Sequence, residues 1–128
     1  MNSSTPKWII VYLWIVTVMA LIFSIMGYIK PDVQFGTWQA FGQVGALSII
    51  GPLGLYLARN IATVAVCAFA LFTPSIAVLQ AAFILRGVTD MMDLVHNAIG
   101  GNMPIAIFAL VMFLIEVFAL IKLRGIKS

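Results

Sequence analysis

The chain has 128 residues, 63% of them hydrophobic and only 9% charged, with a mean hydropathy of +1.14. A soluble domain carries roughly 25% charge and about half apolar residues, so a water-soluble enzyme, a disordered tail and a nucleic-acid module are excluded. Seven basic against four acidic side chains leave +3, too few cations for a phosphate-binding surface, and one cysteine, Cys67, excludes an internal disulfide, a CxxC pair and a cysteine-rich metal site.

What remains is a polytopic membrane protein, all-α, built as a single domain over residues 1–128. A span needs about 20 predominantly apolar residues to cross a hydrocarbon core of ~30 Å. The first such run is Trp8 to Ile29, between Lys7 and Lys30-Pro31. It is too long for a secretory leader and lacks a small-residue cleavage site. The second run is Pro52 to Phe72, opened by Gly51-Pro52 and closed by Thr73-Pro74. Pro74 suits the first turn of a third helix, because the N–H it lacks would be unpaired there. That helix, about 74–98, stops at Gly100-Gly101. The fourth covers about 104–123, again with proline near its start and Gly-Asn-Met-Pro at 101–104 as the turn before it.

Four spans put both termini on one side, and short links make an antiparallel four-transmembrane-helix bundle. Lys7, Lys122, Arg124 and Lys127 gather on that side against Lys30 on the other. The positive-inside rule therefore makes both termini cytoplasmic, in an inner or plasma membrane. The stretch 30–50 is an extracytoplasmic loop. In it Phe35, Trp38 and Phe41 mix with Gln34, Gln39 and Gln43, a headgroup-region composition. It reads either as an interfacial segment or as a lid over a cavity opening outward, with Trp38 or Phe41 covering the mouth.

The ionisable residues within the spans are few: Arg59 on helix 2, Arg86, Asp90, Asp93 and His96 on helix 3, and Glu116 on helix 4. A charge at the bilayer centre costs at least ~2.5–3.5 kcal/mol on insertion scales, so these groups must face one another or water. Arg86, Asp90, Asp93 and Asn97 fall within an arc of roughly 60° at 3.6 residues per turn. Thr89 and His96 flank that stripe, and Leu85, Val88, Met92 and Val95 form the opposite, apolar side. On helix 2, Tyr56, Arg59 and Thr63 share a side, with Asn60 and Cys67 at its edge. Helix 1 offers little that is polar beyond Tyr12, Thr17 and Ser24, and reads as apolar wall.

Depth narrows the pairings. Arg86 lies about 18 Å below the outer end of helix 3, at 1.5 Å per residue, and Glu116 lies at a similar depth on helix 4. Arg86–Glu116 is one expected pair. Arg59, ~8 residues into helix 2 at that rise, is level with Asp90, so Arg59–Asp90, shared with Asp93, is the second. His96 and Asn97 sit above both. The picture is a polar shaft open to the outside and closed below by Phe69, Phe72 and Val111.

Gly-Leu-Tyr-Leu-Ala-Arg-Asn at 54–60 and Leu-Arg-Gly-Val-Thr-Asp-Met-Met-Asp at 85–93 resemble segments of the DoxX-like small four-helix membrane proteins, in their uncharacterised branch. The resemblance covers about residues 7 to 124. It implies a four-helix bundle with a ligand-sized interior, and functions ranging from quinone-linked oxidoreductase subunits to assembly helpers. This chain has no cysteine pair for redox work.

Three function classes follow. In the first, the cavity binds a small, largely apolar molecule with an anionic or carbonyl end. Arg59 and Arg86 hold that end through their guanidinium forks, and Asn60, Asn97, Tyr56 and Trp38 complete the ligand-binding set. Asp90, Asp93, Glu116 and His96 are the candidate catalytic groups, suited to acid/base isomerisation, cyclisation or hydration. In the second class the chain is a non-catalytic subunit or assembly factor of a membrane complex, and Trp8, Trp14 and Trp38 face the partner or another copy of this chain. In the third it is a proton-coupled transporter, although no inverted repeat or paired half-helices occur. The simplest alternative to all three is that the ion pairs only hold helices together. No nucleic acid, metal or cofactor is expected; the lone His96 and the seven methionines read as shaft and packing residues.

Overall fold

The computed structural model describes residues 4–30 and 52–126, and within these it is all-helical. Helix α1 spans Lys7–Ile29, α2 Pro52–Phe72, α3 Ile76–Ile99 and α4 Met103–Arg124. The loop reading of residues 31–50, with its lid residues Trp38 and Phe41, falls outside the described residues.

Local chemistry sets the boundaries. Ser75, in an extended conformation, caps α3 by accepting a 3.4 Å hydrogen bond from the Val78 amide. Pro74 therefore precedes the cap instead of occupying the first turn, because a hydroxyl one residue further on takes an amide that would otherwise have no partner. At the other end Gly101 adopts φ +76°, while the Asn102 amide donates to the Asn97 carbonyl at 2.8 Å and the Gly101 amide to Ala98 at 3.3 Å. This paired closure needs a left-handed residue, and glycine takes that conformation without strain. Pro104 then opens α4 in the first turn, where no backbone donor is lost.

Each helix buries one stripe. Ile9, Leu13 and Val16 of α1 pack with Cys67, Ala70 and Leu71 of α2, with Ile76, Leu79, Ala82 and Phe83 of α3, and with Ala119 and Leu123 of α4. This apolar core lies in the first half of α1 and α3 and in the second half of α2 and α4. The most extensive packing is between α3 and α4. Small residues are buried on both helices, Ala82 and Gly87 on α3 and Ala106, Ala109 and Ala119 on α4, and small buried residues let helix backbones approach. Thr17 and Ser24, buried on α1, donate back to the carbonyls of Leu13 and Ala20 at 2.6 and 2.7 Å, so their hydroxyl donors are satisfied within the helix.

The exterior is apolar on every helix: Ile15 and Ile22, Leu55 and Phe69, Ile84 and Val88, Ile107 and Phe118 are all exposed. Water would not tolerate such a surface, whereas hydrocarbon would. Three helices, Lys7–Ile29, Gly54–Phe72 and Met103–Arg124, are long and apolar enough to cross a membrane. The chain is a helical membrane protein. The expected closure of the shaft by Phe69, Phe72 and Val111 is corrected: they are 62%, 75% and 49% exposed, on the outer surface. Phe83, fully enclosed in the core, stacks on Tyr12 at 6.0 Å.

Candidate functional site

The polar stripe of α3 meets α2 at one level and α4 with α1 at another, giving two ion-pair centres. In the first, Arg59 of α2 grips Asp93 end-on, Nη1 to Oδ1 at 2.9 Å and Nη2 to Oδ2 at 3.2 Å. The guanidinium also lies over the Tyr56 ring at 4.8 Å, a cation–π contact. Asn97 donates from Nδ2 to the Asp93 carbonyl at 2.7 Å, which steadies the turn carrying the carboxylate. Asn60 shares a side-chain hydrogen bond with Tyr56. The side chains of Arg59 and Asp93 remain 35% and 25% exposed.

In the second centre, Arg86 of α3 donates from Nε to Glu116 Oε1 at 3.2 Å and from Nη2 to Asp90 Oδ2 at 3.1 Å. Tyr12 of α1 donates from its hydroxyl to the same Glu116 oxygen at 3.0 Å. Glu116 has no exposed surface at all, and the Arg86 and Asp90 side chains retain only about a tenth of theirs. Such burial strengthens the attraction within the cluster and makes every uncompensated charge expensive. Among the described residues, two buried side-chain polar atoms have no hydrogen-bond partner: Arg59 Nε and Glu116 Oε2.

The expected Arg86–Glu116 pair is present. The expected Arg59–Asp90 pair is not, because Asp90 stands one turn from Arg86 on the same helix and is taken by it. Arg59 instead closes on Asp93, expected from the sequence only to share it with Asp90. Asp90, Asp93, Glu116, Arg59, Arg86, Asn60, Asn97 and Tyr56 are distributed over the two centres. His96 is exposed on the same helix, beyond Asp93, and joins neither set of ion pairs. Trp38 lies outside the described residues.

Two participants escaped the sequence reading. Tyr12 makes α1 part of the inner centre and not merely its wall; the signal was a phenol buried early in an otherwise apolar run, which needs a partner. Gly87 is the other. A Cβ at that position would stand 3.9 Å from Glu116 Oε2, so the glycine leaves open the space beside the unpartnered oxygen.

Set against known proteins, the chain matches no family model, no curated protein and no solved structure. Fold and site together define a class, a helical membrane protein with buried ion pairs.

Proposed function

We propose that the chain spans the membrane four times as an antiparallel bundle, with both termini cytoplasmic, and binds a small, largely apolar molecule by its carbonyl or anionic end. α3 is the fourth span on this reading. Its 24 residues suffice in length, its charges turn inward to partners, and Leu85, Val88, Met92 and Val95 turn outward. A DoxX-like kinship of the 54–60 and 85–93 segments belongs to the same proposal.

The observation that carries the binding reading is the Arg59 Nε–H. It is buried and has no acceptor, although both Nη groups of the same guanidinium are engaged. A buried donor left unmade costs about 1–3 kcal/mol. Once the part-exposed Arg59–Asp93 pair opens, an oxygen at the end of a bound molecule would accept from it, with the Tyr56 ring alongside as an apolar wall. The half-exposed Arg59–Asp93 pair forms the entrance, and Asp93, Asp90 and Glu116 supply acid and base groups for isomerisation, cyclisation or hydration.

The test is native mass spectrometry of the protein released from nanodiscs. The wild type is expected to carry a small molecule, and Arg59→Lys, which keeps the charge but loses the Nε–H and the planar fork, to lose it at least tenfold. A wild type without adduct, or an adduct retained by the variant, overturns the reading.

A further inference from the structure

The two arginines hold their carboxylates in different ways. Arg59 gives both Nη groups to the two oxygens of one carboxylate. Arg86 gives Nε–H and Nη2–H, which leave the same edge of the guanidinium side by side. That edge matches the two oxygens of a single carboxylate in a bidentate pair. Here the oxygens come from two residues, Oε1 of Glu116 and Oδ2 of Asp90. The guanidinium edge therefore brings two carboxyl groups together in a site where Glu116 is wholly enclosed.

One positive charge faces two carboxyl groups. Among the described residues, the remaining groups around them supply no second cation. From α1 comes Tyr12, a neutral donor to Oε1. From α2 come Cys67, a buried free thiol, and Arg59, which is closed on Asp93. From α3 come Arg86 itself and, one turn beyond Asp90, Asp93 with its charge answered by Arg59. Glu116 Oε1 receives two donors, Tyr12 and Arg86, while Oε2 of the same group receives none. Two like charges confined in one site are relieved by a single proton held between them.

We propose that Asp90 and Glu116 form a one-proton centre: at neutral pH they hold one exchangeable proton between them, and Arg86 balances the remaining negative charge. With the proton bound the cluster is neutral. When the proton leaves, to water or to a basic atom of a bound molecule, the pair becomes a base carrying one net negative charge, and uptake of a proton restores it. No other reactant is involved. The centre is a proton donor and acceptor within the membrane, whether or not the Arg59 site holds a molecule.

Infrared spectroscopy of the ligand-stripped protein in liposomes at neutral pH tests this directly. The wild type is expected to show a protonated-carboxyl C=O band that shifts in D2O. The band is expected to persist in Asp93→Asn and to vanish in both Asp90→Asn and Glu116→Gln, since either change leaves one carboxylate ionised against Arg86. Melting temperature confirms which variants are folded, and either of the two suffices. A wild type without the band, or a band that survives in a folded Asp90→Asn or Glu116→Gln protein, overturns the proposal.

Discussion

The two ion-pair centres of this protein use the same side-chain types and differ in stoichiometry and enclosure. Arg59–Asp93 is one cation on one anion, with about a third and a quarter of the side chains still exposed. Arg86–Asp90–Glu116 is one cation on two acids, with Glu116 sealed and Tyr12 added as a neutral donor. Where water reaches the first pair it screens the two charges, so little free energy depends on it. Enclosure removes that screening from the second, so its stability depends on every member being present. The difference teaches how enclosure sets the cost of breaking a pair: the part-exposed pair can open at small cost, whereas the enclosed cluster cannot lose its cation.

Substitutions that remove one member from each centre break the comparison most sharply. Arg86→Met leaves two acidic groups enclosed with no cation, and is expected to destabilise by about 3–5 kcal/mol, the range for orphaning a buried charge. Chemical or thermal unfolding in detergent measures it. Adding Glu116→Gln to Arg86→Met is expected to recover part of that loss, because it removes one of the stranded acids. Equal stability of the single and double variants would mean the two acids do not interact. Next in size is Tyr12→Phe, which deletes the 3.0 Å hydrogen bond to Glu116 while keeping the ring on Phe83. The expected cost is about 1 kcal/mol in the same unfolding experiment.

The outer centre is expected to respond less. Asp93→Asn converts a half-exposed ion pair to a neutral contact, and less than about 1 kcal/mol should be lost. A loss equal to that of Arg86→Met would show that enclosure does not separate the two centres. Smallest of all is Gly87→Ala. The added methyl meets Glu116 Oε2 at 3.9 Å, an ordinary contact, and alanine is favoured over glycine in a helix interior by ~1 kcal/mol. Unfolding should therefore show unchanged or slightly raised stability. A marked loss would mean that the space beside Oε2 is occupied in the working protein.

How much of this was legible in the sequence varies residue by residue. Hydropathy accumulates locally along the chain, so composition alone placed the protein in a membrane, and Gly100-Gly101 and Pro104 marked the turn before α4 without reference to any other helix. The Arg86–Glu116 pair was legible too, because depth along two helices joined by a short turn is a matter of counting residues. What only the tertiary structure decided depends on rotation about helix axes and on competition between partners. Asp90 went to Arg86 because an acceptor one turn away on the same helix needs no interhelical fit, and that left Asp93 for Arg59. Phe69, Phe72 and Val111 turned outward, and Tyr12 turned inward to Glu116. A hydrophobic run reads the same all round its axis, so the face it buries is fixed only when the neighbouring helices pack against it.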